Sequence, residues 1–449
     1  MLSPFVSEGD NLIKQVFHLA WPSILNNLFQ TLAVTADIIM VGTLGRKAVG
    51  GVTIGGQVFF ILMTVLAAVT AGTVALVSRF TGSGETKNRD MAVGQSYLLA
   101  AVISIPFFFL GTLRPDIVVG IYGASLDVSA LAAEYTRFVF AGSPLFAVMA
   151  VSAASFIATG DAKTPMCING TTNAFNVFFN YIFIFGKLGM PAMGVKGAGL
   201  GTLLSFLVGA MIYASILISK KRDVQIVPGA LVPDGEMMTR IVRIGLPAAT
   251  EQVAIQIGFL IYMIMVVRFG DAAVAAHSIG MRVQSLSFMP GLGFATAATA
   301  LSGRYLGERA PETAEKSGWL SLKLAILTMG SLGLLLFVFA RPVAEVFIRD
   351  ETVVTLSVVF IRILAIGEIA IATHFTLAGA LRGAGDTKYP LYASLFGLYG
   401  FRIPLAMVLG FHTSLGLYGV WLAMVIEYYA RSTVIFIRYR SGRWKAIRV

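Results

Sequence analysis

The sequence predicts an all-α integral membrane protein of twelve transmembrane helices, arranged as two pseudo-symmetric six-helix bundles. Its 449 residues are 57% hydrophobic and only 13% charged, whereas a soluble protein carries about 25% charge. About twelve apolar runs are long enough to cross a bilayer. The two halves also repeat each other at a shift of about 225 residues.

The apolar runs read as helices because they lack the alternation of polar and apolar residues that marks a membrane barrel. Several exceed the roughly 20 residues that a bilayer requires, so tilt or protrusion is expected. The runs lie at 13–44, 50–80, 91–113, 130–158, 165–186, 196–219, 239–269, 275–305, 317–340, 353–381, 388–411 and 416–437.

The internal repeat keeps its register over most of each half. Pro22 corresponds to Pro247, and GDAKTP at 160–165 corresponds to GDTKYP at 385–390 without a net gap. Each half has an even number of spans, so both enter the membrane in the same direction and are related by an axis along its normal. Two such bundles can rock about a site between or within them, which predicts a transporter that works by alternating access.

Three segments follow from the repeat. We expect an N-terminal six-helix lobe at 1–222, a cytoplasmic linker at 223–237 and a C-terminal six-helix lobe with a basic cytoplasmic tail at 238–449. The linker contains Pro228 and Pro233, which interrupt helices.

The net charge of +11 lies beside the ends of apolar runs, as in positive-inside loops, and not in a stripe on a soluble domain. We therefore exclude nucleic acid as a partner and predict a multi-pass protein of the inner (plasma) membrane with both termini cytoplasmic. The single Cys167 excludes an internal disulfide. The N-terminus lacks the pattern of a cleaved signal peptide.

The first apolar run carries Asp37 deep in its second half. Asn26, Gln30 and Asp37 share one helical face. A charge inside a span costs roughly 2.5–3.5 kcal/mol on insertion scales, so it normally faces a cavity or a partner. A carboxylate away from water can hold a proton, a sodium ion or a cationic substrate, but hardly two of them, which makes transport an exchange. The alternative is a structural pair with a nearby amide.

The second half has its own polar candidates within its spans. Glu251 has Asn26 as its repeat mate, and the mate of Asp37 is Tyr262, so each lobe keeps one carboxylate at a different level. Glu368 lies in the middle of the tenth run, with an ion pair to Arg282, Arg402 or Arg362 as the alternative. The candidates in this lobe are Glu251, Gln252, Gln256, Glu368, Tyr262 and Arg282.

Three further side chains are interpreted as structural and not as parts of a binding site. Arg282 should pair with an acid on a neighbouring helix. Glu427 has Arg431 one turn on as an obvious partner. His374, alone on an apolar face, is more often a core histidine than a proton relay.

Several motifs in this order resemble the multidrug and toxic compound extrusion (MATE) family over nearly the whole chain, and either its NorM-like or its DinF-like branch fits them. The motifs are LAWPSILNNLFQTLAVTADIIMVGTLG, VSRFTGSGE, GLPAATEQ, AAHSIGMRVQSLSFMPGLGFATAATAL, SGRYLGER and ALRGAGDT. The resemblance implies a V-shaped pair of six-helix lobes. It also implies an antiporter that releases cationic or amphipathic compounds while protons or sodium ions enter.

The resemblance also implies site residues. Asp37 matches the acidic position on the first helix, and Asn176, Asn180 and Thr202 match positions that complete an ion site in some relatives. Part of the family has an aspartate where this chain has Asn180, which lowers the negative charge and favours protons over sodium. Glu251 matches a glutamate that the NorM-like branch uses for cation coupling, so the alternative sodium sites are Asp37 and Glu251.

The leading hypothesis is a monomeric exporter, without cofactor, of small organic cations. A flippase for a lipid or a lipid-linked sugar is the second hypothesis, although the ionisable mid-span residues are at least as acidic as basic. A membrane enzyme is disfavoured because the sequence has no HExxH, GxSxG, P-loop or paired-aspartate motif.

Overall fold

The computed structural model describes residues 11–219 and 224–447, and these ranges form helices without any strand. The basic run at 220–222, the start of the predicted linker and Arg448 lie outside the described residues. The α-helices are α1 Asn11–Gly42, α2 Arg46–Ser83, α3 Thr86–Leu113, α4 Pro115–Gly120, α5 Leu126–Ala141, α6 Ser143–Ala158, α7 Lys163–Phe185, α8 Gly194–Ile218, α9 Gly235–Val267, α10 Asp271–Gly307, α11 Pro311–Val338, α12 Ala340–Phe347, α13 Glu351–Gly383, α14 Lys388–Leu395, α15 Ile403–Phe411 and α16 Gly416–Arg440.

The membrane spans agree with the predicted number. Nine spans are long and apolar enough to cross a bilayer, and the bent pair α5 and α6 supplies a tenth among the described residues. The 23-residue α7 and the 37-residue α10 are also long enough but more polar. Large apolar side chains on these helices are exposed, such as Ile39 at 65% and Leu327 at 66%, which is expected where lipid is the solvent. The predicted twelve-helix membrane fold is confirmed.

The repeat is visible in where the helices begin. Adding 225 to the first residues of α2, α3, α4, α5 and α7 gives the first residues of α10, α11, α12, α13 and α14. Gly45 and Gly270, which precede α2 and α10, have φ of 100° and 90°. This region of backbone conformation favours glycine, so the duplicated chain keeps a glycine at both positions.

The halves differ where one of them contains an extra helix breaker. The axes of α5 and α6 meet at 52° near Pro144, whereas the corresponding α13 continues without a break. Proline lacks an amide hydrogen and clashes with the preceding turn, which explains the bend. In the C-terminal half, a π-helical segment at Phe396–Arg402 joins α14 to α15 within one span.

Two compact units divide the described chain, one of residues 25–249 and the other of residues 11–24 with 250–447. The borders therefore lie inside α1 and α9. They do not test the duplicated lobes expected at 1–222 and 238–449, which stay a prediction. In the first unit α9 approaches α2 so closely that a Cβ on Gly245 would lie 1.6 Å from the Ala68 carbonyl oxygen. In the second unit Phe17 of α1 packs on Phe294 of α10, with ring centroids 6.2 Å apart.

The end of the predicted linker is fixed to α3 by one buried side chain. The Gln95 amide nitrogen donates to the carbonyl oxygens of Ala230 at 2.8 Å and Val232 at 2.7 Å. Its amide oxygen accepts from the backbone N–H of Asp234 at 2.9 Å. Gln95 satisfies three backbone groups that have no helical partner, so this part of the linker is held on α3.

Candidate functional site

Asp37 lies on α1, where amides of α7 surround its carboxylate. The Asn180 side chain donates to Asp37 Oδ1 at 2.7 Å. Asn176 lies one helical turn before Asn180, so the two amides face the same side of α7. Asp37 makes no ion pair within the ranges that the structure describes, which leaves its charge without a resident cation.

Asn176 joins this carboxylate to α8. The amide orientation that satisfies all its neighbours places the Asn176 nitrogen 3.1 Å from Asp37 Oδ2 and 3.2 Å from Oδ1. The Asn176 oxygen then lies 3.2 Å from the Thr202 hydroxyl of α8. With Asn176 assigned in this orientation, both asparagines donate N–H groups to Asp37. The structure brings together the predicted set Asp37, Asn176, Asn180 and Thr202.

Gly201 makes room for Asn180. A Cβ built on Gly201 would lie 2.0 Å from Asn180 Oδ1 and 2.9 Å from the Asn180 backbone nitrogen. The Asn180 oxygen is buried and has no hydrogen-bond partner in the described part of the chain. The small residue therefore sets how closely α8 approaches the amide that holds Asp37.

We expect Gly201→Ala to reduce export by at least about tenfold, because the methyl group would displace the Asn180 amide from Asp37 and so remove a charge-assisted hydrogen bond of about 1.5–3 kcal/mol. Export of a fluorescent cation from membrane vesicles, normalised to the amount of folded protein, measures the effect. Gly56→Ala is the matched control, since a Cβ on Gly56 would meet nothing within 4 Å. Equal losses in both variants would contradict this role of Gly201.

Tyr135 of α5 is a neighbour that the sequence did not indicate. Its hydroxyl lies on the side of Thr202 and Asp37, close enough to both to affect their electrostatics. A Cβ on Gly55 of α2 would lie 2.5 Å from the Tyr135 ring, so the ring is held against that helix. A single tyrosine in an apolar helix carries no pattern that would identify it as part of a site.

Gln30 does not contact Asp37 but lines a separate chamber on the same face of α1. Seven residues separate the two, or about 10 Å along a helix. The chamber has a volume of about 220 Å³, and Asn169 donates across it to Asn26 Oδ1 at 3.0 Å. Its lining residues are Asn26, Gln30, Met63, Phe146, Met149, Ala150, Ala153, Asn169, Thr172, Asn173 and Phe206.

Glu251 of α9 is the predicted acid of the C-terminal half, and both of its carboxylate oxygens are occupied. Arg382 Nη2 of α13 lies 2.7 Å from Glu251 Oε2, and the Ser394 hydroxyl of α14 donates to Oε1 at 2.7 Å. Glu251 is 2% exposed. The sequence predicted the acid but did not indicate its guanidinium partner.

Glu427 of α16 anchors a buried ion-pair network. Arg431, one turn on, has its Nε 2.9 Å from Glu427 Oε1, as predicted. Arg402, at the end of the π-helical segment, pairs with Glu427 Oε2. The Arg402 guanidinium also faces the rings of Phe259, Tyr262 and Tyr428 at 5.0–5.6 Å, an arrangement typical of cation–π contacts.

The other candidates of this half are more dispersed. Glu368 is 1% exposed and bonds to Ser287, so the alternative ion pair with Arg282, Arg402 or Arg362 does not form among the described residues. The Tyr262 hydroxyl donates to the Val420 carbonyl oxygen at 2.9 Å. The side chains of Gln252, Gln256 and Arg282 are exposed.

The structure tests the structural interpretations of Arg282 and His374. The expectation that Arg282 pairs with an acid is wrong within the described ranges, because its side chain is exposed and the buried carboxylates Glu251 and Glu427 pair with other arginines. His374 is buried in the core at 3% exposure, and its ring lies against Phe375.

Known proteins resemble this chain in sequence and in fold. The family model MatE matches the chain twice, at residues 22–182 and 247–408. The chain is 33% identical over 442 residues to the "Probable multidrug resistance protein NorM" of Thermotoga maritima, covering 98% of this chain and 94% of that protein. Crystal structures of MATE in bent and in straight conformations superpose with TM-scores of 0.89, at 25% identity and over 97% of this chain. These structures are covered over 97% and 98% of their own lengths.

Proposed function

Since this chain belongs to the MatE family of multidrug and toxic compound extrusion transporters, we propose that it exports drug-like organic cations in exchange for protons, with Asp37 as the exchange site. It is a multi-pass membrane transporter of small molecules and not an enzyme. We further propose that it works as a monomer in the inner membrane with both termini in the cytoplasm.

The observation that carries the proposal is the environment of Asp37. Its carboxylate is held by two neutral amides and by no cationic side chain of the described residues. A membrane-embedded charge without a resident counterion attracts an external cation. One carboxylate can balance one incoming or one outgoing positive charge, so the two compete and the transport becomes an exchange.

The groups around Asp37 favour a proton as the coupling ion. Asn176 and Asn180 turn N–H donors toward the carboxylate, whereas sodium, as a hard cation, requires several oxygen ligands. A proton needs only one carboxylate oxygen. The amide that donates to that oxygen would lose its hydrogen bond when the proton binds. Sodium binding at Asp37 would require both amides to turn.

The nearby chamber supports an organic cation as the cargo. Its lining combines amides, which hydrogen-bond polar groups, with Phe rings and the flexible side chains of Met63 and Met149. Methionine adapts to ligands of different shape. Asp37 on the same face of α1 would supply the only net charge that such a chamber needs to select cations.

A gradient experiment tests the coupling. We expect purified protein in liposomes to move a fluorescent organic cation when a proton gradient alone is imposed, and not when a sodium gradient alone is imposed. The initial rates under the two gradients, with protein-free liposomes as the control, measure this. Transport driven by sodium alone would contradict proton coupling, and the absence of transport under either gradient would contradict antiport.

A lipid or lipid-linked flippase is the second candidate, supported by one observation. A cavity of about 660 Å³ between α1 and α7 has a mostly apolar lining that includes Phe29, Leu32 and Val177. An acyl chain would suit such a lining. Reconstituted protein that moves a labelled lipid but no dye cation would favour this candidate.

A further inference from the structure

We propose that the C-terminal half contains the duplicate of the Asp37 site, in the form of a cage for a guanidinium-type cation that the chain fills with its own Arg402. The cage residues are Phe259, Tyr262, Glu427 and Tyr428. They lie in the compact unit of residues 11–24 with 250–447, whereas Asp37 belongs to the other unit. The proposal takes from the proposed function only that the Asp37 site receives a cation.

Two of the helices that form the cage are duplicates of helices that form the Asp37 site. The repeat at a shift of 225 residues pairs α1 with α9 and Asp37 with Tyr262. The helices α8 and α16 are both 25 residues long and begin 222 residues apart. Glu427 of α16 therefore corresponds to Ser205 of α8, about one turn after Thr202.

One inserted residue brings Arg402 into register with Asn176. The first residues of α7 and α14 are 225 apart, but the last residues of α7 and α15 are 226 apart. The π-helical segment at Phe396–Arg402 lies between these ends, and a π-helical turn accommodates one extra residue. At the end of the segment Arg402 thus corresponds to Asn176. Asn176 contacts Asp37, and Arg402 contacts Tyr262, so the duplicated helices keep this contact with other side chains.

In the duplicate, a cation is already in place. Arginine is charged at any physiological pH, and Arg402 is 1% exposed. Its Nε donates to Glu427 Oε2 at 3.0 Å, and its Nη2 donates to the same oxygen. Its Nη1 has no hydrogen-bond acceptor in the described part of the chain. The three rings around the guanidinium offer their faces instead, and a carboxylate with aromatic faces is how proteins recognise free organic cations.

The walls of the cage are held without the help of Arg402. The Tyr262 hydroxyl donates to a backbone carbonyl oxygen of α16 at 2.9 Å, and the Tyr428 hydroxyl donates to a side-chain amide oxygen of α10 at 3.3 Å. Glu427 keeps Arg431 as the partner of its other oxygen. We therefore expect the cage to keep its shape when the Arg402 side chain is shortened, and a preorganised site binds a ligand at lower cost.

The cage suits a guanidinium group better than a metal ion or an anion. A hard cation needs a shell of oxygen ligands, and the cage offers one carboxylate oxygen and ring faces. An anion would meet the negative faces of the same rings. Because Arg402 is covalently part of the chain, this duplicate cannot release its cation, which leaves the Asp37 site as the one of the pair that can exchange.

Shortening Arg402 tests the proposal by binding and not by transport. Arg402→Ala removes the atoms of one ethylguanidinium ion, and Asp37→Asn in the same chain removes the charge of the other site. We expect ethylguanidinium to recover, with increasing concentration, most of the unfolding temperature that Arg402→Ala loses. N-ethylurea has the same shape without the charge and should recover none at equal concentration and ionic strength. Thermal unfolding of the solubilised full chain measures both.

Three matched proteins, each also carrying Asp37→Asn, control for unspecific effects of the ligand. The first keeps Arg402, so its cage is filled. The second carries Arg402→Met, which fills the same space with an apolar side chain. The third carries Arg341→Ala, which removes an exposed arginine. Ethylguanidinium should stabilise none of them. Equal stabilisation in any of these proteins, or equal effects of ethylguanidinium and N-ethylurea on Arg402→Ala, would overturn the proposal.

A second measurement applies if Arg402→Ala gives no folded protein by itself. The variant is then produced and solubilised with ethylguanidinium or with N-ethylurea present throughout, and gel filtration measures the yield of monodisperse protein. A higher yield with ethylguanidinium would support the cage. Equal yields with the two compounds, including no protein from either, would count against it.

These outcomes are distinct from those that test the proposed function. If the wild type exported cations under a proton gradient while Arg402→Ala gained no stability from ethylguanidinium, only the present inference would fail. If Asp37→Asn exported normally while Arg402→Ala responded to ethylguanidinium and not to N-ethylurea, the proposed function would fail and the cage would stand as a cation site.

Discussion

Asp37→Asn should lower the export of an organic cation by at least about tenfold, the equivalent of losing one charge-assisted contact of about 1.5–3 kcal/mol. Asparagine has nearly the same shape and can still accept from Asn180 through its oxygen, so the fold is retained. In the proposed exchange, neither the incoming proton nor the outgoing cation is held without this charge. Drug resistance of cells that express the variant, together with dye export from vesicles, measures the loss.

Asp127→Asn is the matched control for this substitution. Asp127 is exposed and pairs only with Lys47 in the described structure, so its replacement changes the net charge by the same amount without touching the site. We expect wild-type export from it. Normal resistance in cells carrying Asp37→Asn at wild-type protein levels would contradict the role of Asp37.

Glu427→Gln should destabilise the protein by about 3–5 kcal/mol, because it leaves buried cationic groups without their counterion. Arg402 is 1% exposed and Glu427 is 0% exposed, so water cannot take over the lost interaction. Thermal unfolding of the detergent-solubilised protein measures the change. A large decrease in the yield of folded protein is expected to accompany it.

Two companion variants show whether the buried charge is the cause. Glu345→Gln removes an exposed partner of Arg341, and we expect no measurable change in unfolding, since exposed pairs contribute little. The double substitution Arg402→Met with Glu427→Met leaves only Arg431 of this network charged, whereas Glu427→Gln leaves both arginines without their counterion. We therefore expect the double variant to unfold at a higher temperature than Glu427→Gln alone. An equal destabilisation in Glu345→Gln and Glu427→Gln would contradict the explanation.

The fold was predictable from sequence because its signals are local or repeated. Hydropathy gave the spans, and the repeat predicted that α2 and α10 begin at equivalent positions after Gly45 and Gly270. The Asp37 site was partly predictable too. Its spacing on α1 indicated a functional acid, and the family resemblance, not the spacing, identified the amides of α7.

The partners of the buried charges were not predictable in the same way. Helical periodicity tells which residues share a face, but not which residue of another helix lies opposite. Arg382 is 131 residues from Glu251, and Arg402 reaches Glu427 from a π-helical segment whose extra residue per turn shifts the face it presents. Arg282, which should have paired by the same reasoning, is exposed instead.

The course of α1 and α9 has a consequence for how the two units are connected. The border between the compact units falls after Ile24 in α1 and after Ala249 in α9, two residues beyond Pro22 and Pro247 and 225 residues apart, so the duplication extends to this feature. Both α1 and α9 are continuous helices across these borders. The chain therefore passes between the two units only along unbroken helices, and Asp37 and Glu251 lie on these two helices, 13 and two residues beyond the borders.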